Sequence, residues 1–220
     1  MIARPPVALP LLALVAFLAL FGLVVGGWAP LDGFDAAVSD AFRGYGDQRP
    51  TLVTALRLAT DVAATIPFLI AGAVITTGLL ASGERRFAAC CAAVTVLVPV
   101  LWSLMHLWVH HPRPVDGFVV VHSNGFPSGH TSNASAAALL AVLLLWPRLA
   151  RTGRIVAVAL AAAFAIFIGL TRLALLAHWP ADVLGGWLLA LAVVPPVTYA
   201  VDRLVPRRPV PVPAANRTPR

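Results

Sequence analysis

Three polar clusters interrupt an otherwise apolar sequence, and their residue types suit the handling of an anion. In the last of them His178 and Asp182 are four residues apart, and Pro180 between them suits the first turn of a helix. Asp182 then falls in or near that turn, where exposed amides and the helix dipole favour a carboxylate. From there it can accept a hydrogen bond from one ring nitrogen of His178. That bond would fix the tautomer, leave the other nitrogen free to attack, and stabilise the charge that develops. Arg172 lies six residues before His178, and its rigid five-donor fork suits phosphate oxygens.

A second cluster runs Phe126, Pro127, Ser128, Gly129, His130, Thr131, Ser132. Ser128 can cap a helix or donate its hydroxyl, Gly129 permits close backbone approach, and first-turn amides point toward an anion. His130 at that helix mouth is suited to protonating a departing oxygen, since its ordinary pKa is about 6.5. The first cluster holds His106, His110, His111 and Arg113, with Arg113 supplying a second guanidinium from the loop that leads into the next helix. Singly, each has a plainer explanation. The histidines can be interfacial hydrogen-bonding groups, Arg113 a headgroup anchor, Ser128 and Asp182 helix caps, and Arg172 a snorkelling side chain. All of these would have to hold together, and polar groups recurring in so oily a chain point to function.

The elements that carry these clusters follow from hydropathy. The chain has 220 residues, 60% hydrophobic and 11% charged, which does not suit a soluble fold. Apolar runs of about 20 residues recur, each long enough to cross a bilayer core of roughly 30 Å. The expected fold is all-α, a polytopic membrane protein of six helices near 7–28, 61–81, 87–109, 129–147, 155–174 and 180–202. Val7 to Trp28 lacks a small-residue cleavage signature and reads as a retained helix. Pro67 is a candidate kink in the second run. Gly22, Gly26, Gly27, Gly185 and Gly186 are candidate sites of close helix contact. In the link 29–60, the spacing of Leu31, Phe34, Val38 and Phe42 predicts a short amphipathic helix at the membrane interface, as a connector or a guide for lipid entry.

The formal charge of +7 does not indicate a nucleic-acid partner, because the arginines cluster in short gaps between apolar runs. Arg4, Arg85, Arg86, Arg148, Arg151, Arg154, Arg203, Arg207 and Arg208 all fall on one side after six crossings, expected to be cytoplasmic with both termini. The polar clusters then face the outer side. Residues 1–206 form the expected membrane domain and 207–220 a disordered tail rich in proline and arginine. The adjacent Cys90 and Cys91 suggest neither a disulfide framework nor a metal site. Oligomeric state is not legible.

The clusters resemble the motifs of the type 2 phosphatidic acid phosphatase (PAP2) superfamily. That family has a lysine six residues clear of Arg-Pro, then Pro-Ser-Gly-His, then Ser-Arg, five residues, His, three residues, Asp. Arg113-Pro114, Pro127 to His130, and Arg172, His178 and Asp182 match. The resemblance implies a cell-membrane lipid phosphatase with a phosphohistidine on His178, oriented by Asp182, and His130 as general acid. It further implies phosphate binding by Arg113, Ser128, Gly129 and Arg172. No metal and no cofactor are expected. The family's lysine falls at His106, a shorter imidazole and a candidate phosphate contact, and its serine at Thr171. Undecaprenyl pyrophosphate is the leading expected substrate, with phosphatidic acid or phosphatidylglycerol phosphate as the alternative. Two other classes compete: a metal or haem protein using His106, His110, His111, Asp116 and His122, and a carrier that binds lipid headgroups without chemistry.

Overall fold

A computed structural model describes residue 2 and residues 4–206, and in them the chain is all-α. The helices are α1 (Ala8–Val25), α2 (Ala29–Asp47), α3 (Pro50–Thr60), α4 (Thr65–Ala81), α5 (Arg85–Trp108), α6 (Gly129–Leu145), α7 (Arg151–Ala174) and α8 (Pro180–Leu204). Single 3₁₀ turns over Asp61–Ala63 and Trp146–Arg148 follow α3 and α6. Six stretches are long and apolar enough to cross a membrane, as expected: α1, the run Pro50–Ala81, α5, Gly129–Arg148, α7 and α8. The tail 207–220, with Arg207 and Arg208, lies outside the described residues.

The second crossing begins earlier than its hydropathy suggests. Pro50–Ala81 forms one apolar run in which α3 and α4 are separated by the 3₁₀ turn and an extended Ala64. Pro67 therefore introduces no mid-helix kink, because it sits in the first turn of α4, where a backbone N–H has no intrahelical acceptor to lose. The prolines that do lie inside helices are Pro99 in α5 and Pro195 and Pro196 in α8.

The core forms around α6, which packs against α5, α7 and α8, while α1 lies along α8. Thr131, Ser132 and Asn133 in the first part of α6 have no exposed surface. Asn133 satisfies both ends of its amide there, accepting from Trp102 Nε1 at 3.1 Å and donating to the Ala63 carbonyl at 3.2 Å. The glycine expectation divides by helix. A Cβ at Gly186 would lie 3.0 Å from the Ser128 carbonyl, and one at Gly185 would lie 2.7 Å from the Phe126 ring. These two glycines let α8 press on the start of α6, whereas Gly22 and Gly27 have open space. Large apolar side chains such as Leu12, Val15, Val74 and Leu160 cover the outside, a surface stable in lipid rather than water.

The two ends of the bundle differ in charge. At one end Arg4 and Arg86 both pair with the buried Asp202, the latter at 2.5 Å, and Arg148 pairs with Glu84 at 3.1 Å. The loops 26–28, 109–128 and 175–179 meet at the other end.

The predicted amphipathic helix in the 29–60 link is α2, and Leu31, Val38 and Phe42 of its apolar face are half-buried. Phe34 is exposed, and the side turned inward is centred on Asp35 and Ser39. Asp35 accepts the Ala181 N–H at 3.1 Å, supplying an acceptor to the open N-terminus of α8. Arg43 donates to the Val115 and Asp116 carbonyls at 2.6 and 3.0 Å, so α2 also holds the 109–128 loop. Burial pushes the Asp35 carboxyl up to about 6 from 3.8; the Ala181 N–H opposes this and Asp32 adds to it. The folded protein thus binds this proton more tightly than the unfolded chain, so ionising Asp35 costs stability as pH rises from about 4 through 6. Asp35→Asn keeps the acceptor and removes the charge. It should stabilise the detergent-solubilised protein by on the order of 2 kcal/mol above pH 7 and leave it unchanged near pH 4. Thermal unfolding of both proteins across that range checks this.

Candidate active site

The third cluster is shaped by a helix ending and a helix beginning. After α7 the Leu176 N–H donates to the Leu173 carbonyl at 2.9 Å, and the Ala177 N–H to the Arg172 carbonyl at 3.0 Å. This is a Schellman turn, and its left-handed residue, commonly glycine, is the buried Leu176 at φ 50°. The reversal aims His178 back over the end of α7. Pro180 then opens α8, and Asp182 in its first turn accepts the Trp179 N–H at 3.0 Å.

His178 is 2% exposed, and its two ring nitrogens have opposite partners. Nδ1 lies 3.2 Å from Asp182 Oδ2, and Nε2 lies 2.7 Å from Nη1 of Arg113. A guanidinium only donates, so Nε2 must be the accepting nitrogen and Nδ1 carries the proton toward Asp182. Burial, followed by the fields of Arg113, Arg172, His106 and His130, holds the His178 pKa well below 6.5. The ring is therefore neutral at pH 7, with its lone pair available on Nε2.

Arg113 sits at the centre of the loop end. Besides His178 it donates to the Ala177 carbonyl at 2.6 Å, the Ser123 carbonyl at 2.8 Å, Ser123 Oγ at 3.1 Å and the Asn124 carbonyl at 3.0 Å. A cleft of about 650 Å³ beside it is lined by His106, His110, Pro112, His122 and Asn124 among others. Arg172 is buried at the end of α7, and its Nε has no hydrogen-bond partner among the described residues. Asp61, in the 3₁₀ turn before α4, lies within electrostatic range of Arg172. His130, half-buried in the first turn of α6, lies within electrostatic range of both arginines.

Ser128 is the N-cap of α6. Its Oγ accepts from the Thr131 amide at 3.4 Å and lies 3.0 Å from Thr131 Oγ1. Its own N–H donates to the Asp182 carbonyl at 2.9 Å, which joins the second cluster to the third. Gly129 follows with its α-carbon facing the Trp102 indole. The Trp179 indole N–H donates to the Pro112 carbonyl at 2.7 Å and joins the third cluster to the first. Arg113, His130, Arg172, His178 and Asp182 are thus gathered at one end of the bundle.

His106 has another partner. Its Nε2 lies 2.8 Å from the Pro127 carbonyl, which can only accept, and its own carbonyl accepts from Asn124 Nδ2 at 2.9 Å. It holds the loop before α6 from the side of α5. Thr171 also turns away from the centre: its Oγ1 lies 2.6 Å from the Ile168 carbonyl and 2.9 Å from Thr60 Oγ1. Among the described residues no three His, Cys, Asp or Glu side chains form a group able to hold a metal ion.

Gly125 was not among the expected site residues, yet Asp182 requires it. A Cβ there would lie 2.6 Å from Asp182 Oδ2, the oxygen that faces His178. Gly125→Ala should rotate or displace that carboxylate and, if His178 and Asp182 act in catalysis, lower turnover on the order of tenfold to a hundredfold. Steady-state kinetics on the folded variant tests this.

The fold and this convergence of imidazoles and guanidinia define a multi-pass membrane protein with a PAP2-type helix bundle. Residues 113–206 match the PAP2 superfamily. Over 79 residues the chain is 40% identical to Phosphatidylglycerophosphatase B of Escherichia coli K12, and equally to the protein of that name from Shigella flexneri. The aligned stretch is 36% of this chain, and the chain spans only 30% of the length of those relatives. A crystal structure described as the first transmembrane PAP2 type phosphatidylglycerolphosphate phosphatase from Bacillus subtilis matches with a TM-score of 0.78. That match covers 90% of this chain and 98% of the other at 24% identity, a likeness of fold.

Proposed function

We propose that this protein is a metal-independent membrane lipid phosphatase working through a phosphohistidine on His178. The observation that carries the reading is the pair of contacts on one imidazole: Nδ1 toward Asp182 and an accepting Nε2 against Arg113. In the first step phosphate oxygens take over guanidinium donors of Arg113 and Arg172, uncovering Nε2, which attacks phosphorus in line. The bond from phosphorus to the lipid oxygen breaks as His130 donates its proton to that oxygen. Asp182 stabilises the positive charge that grows on the ring. In the second step His130 takes a proton from water as the water oxygen attacks the phosphohistidine, and the N–P bond breaks to give inorganic phosphate. The arginines, the amides at the mouth of α6 and the Ser128 hydroxyl stabilise the equatorial oxygens.

The preferred substrate is phosphatidylglycerol phosphate or the related phosphatidic acid. The relatives that match by sequence and by fold carry phosphatidylglycerophosphate in their descriptions, which supports this lipid over the undecaprenyl pyrophosphate expected from the sequence. The cluster faces the outer side of the cell membrane, both termini are cytoplasmic, and the arginines at the opposite end of the bundle support that orientation. Purified protein is assayed for phosphate release from all three lipids in EDTA, beside its His178→Ala form. Fastest release from phosphatidylglycerol phosphate, absent in the variant, is expected. Activity that fails in EDTA and returns with one metal would overturn the metal-independent mechanism, and release only from a soluble phosphate ester would overturn the lipid assignment.

A further inference from the structure

Asp182 has two oxygens, and the mechanism above uses one of them. Oδ2 faces His178 Nδ1 and accepts the Trp179 N–H. Oδ1 is buried, and so is Nε2 of His111, 3.4 Å away; neither atom has a hydrogen-bond partner among the described residues. We propose that His111 is a positioning residue, a second imidazole that donates to Asp182 Oδ1 and holds the carboxylate in the plane that serves His178. The inference rests on the phosphatase reading of the site.

The surroundings of His111 hold it for this role. Its backbone N–H donates to Asn124 Oδ1 at 3.2 Å, and its carbonyl accepts the Gly125 N–H at 2.8 Å. Its ring stands edge-on to Phe126, at 6.4 Å and 88°. Beyond the ring lies a cavity of about 380 Å³ bounded by α1, α2 and the loop ends, which Asp32, Asp35, His110, Pro112 and Trp179 help to line. The charged and titratable groups facing His111 are thus Asp32 and Asp35 from α2, its neighbour His110, and Asp182 from α8. Burial, the largest influence, lowers the pKa of His111, so the ring is neutral at pH 7 and has one N–H to give. Given through Nε2, that proton supplies the one donor Asp182 Oδ1 otherwise lacks. A buried carboxylate oxygen left without a donor would be costly, and a carboxylate free to turn about its Cβ–Cγ bond would hold His178 loosely.

The backbone bonds of residue 111 do not depend on its side chain, so the fold tolerates its replacement. His111→Ala should lower kcat by about tenfold to a hundredfold with KM little changed, because Arg113 and Arg172 still bind the phosphate. His111→Gln carries an N–H of similar reach and should recover most of the loss, which a role in packing alone would not explain. Independently of activity, 15N-histidine spectra of the detergent-solubilised protein should show His111 protonated at Nε2, with a signal that shifts on Asp182→Asn. A fully active His111→Ala, or a His111 signal indifferent to Asp182→Asn, would overturn the inference. Failure of the phosphatase reading would look different: an inactive parent protein whose His111 signal still responds to Asp182→Asn, which would uphold the contact.

Discussion

His178→Ala is expected to reduce phosphate release from phosphatidylglycerol phosphate by at least about 10⁴-fold while leaving lipid binding largely intact. The size of the loss follows from what the side chain alone provides. Its Nε2 is the buried accepting nitrogen against Arg113, within electrostatic range of Arg172 and His130, and alanine puts no nucleophile in its place. Water admitted to the gap would meet the same arginines without a covalent route. The residual rate therefore reports electrostatic stabilisation and positioning without the histidine. The arginines remain, so phosphate still binds. Comparing kcat with the affinity for a non-hydrolysable lipid phosphonate separates these two effects. A loss of affinity equal to the loss of turnover would make His178 a phosphate-binding residue rather than the nucleophile.

The second large effect is expected for Asp182→Asn, about 10³-fold in kcat with the helix content unchanged. The substituted amide keeps the volume and one carbonyl oxygen. In one amide orientation that oxygen still accepts from His178 Nδ1 and from the Trp179 N–H, the two donors now shared by Oδ2. The orientation then turns an NH₂ group toward His111 Nε2, 3.4 Å from the present oxygen, and sets it against the donor proposed there. In the other orientation the NH₂ group opposes His178 and favours the wrong tautomer. Either way the negative charge that would balance a phosphohistidine is gone. Kinetics with circular dichroism on the same preparation checks that the loss is chemical rather than structural.

Much of this was legible in the sequence because lipid imposes simple rules. A span must be apolar and helical, so hydropathy located six crossings, and spacing placed Asp182 in a helix's first turn beside His178. The Ser128 cap was readable for the same local reason. What escaped depended on partners distant in the chain. The apolar stripe of α2 gave no sign that Asp35 and Ser39 are buried beside it, because Asp35 meets the amide of Ala181, 146 residues away. Nothing near Gly125 in the sequence indicates that it must yield space to Asp182. His106 stands where a phosphate-binding lysine was expected, and only the proximity of α5 to the α6 loop reveals its bond to Pro127. The turn after α7 was expected, but its left-handed residue was hidden because leucine stands where a glycine would have signalled it. A polar residue inside an apolar run was the one available pointer to Asn133, whose two bonds tie α6 to α5 and to the turn before α4.

The most direct test of the mechanism is to catch its covalent intermediate. The parent protein is mixed with phosphatidylglycerol phosphate labelled with ³²P in the terminal phosphate, quenched within milliseconds in alkali, and digested for mass spectrometry. An acid-labile, alkali-stable phosphoryl group is expected on His178, absent from His178→Ala and formed and lost at rates consistent with turnover. Rapid release of labelled phosphate with no protein-bound label, or with the label on another residue, would contradict it.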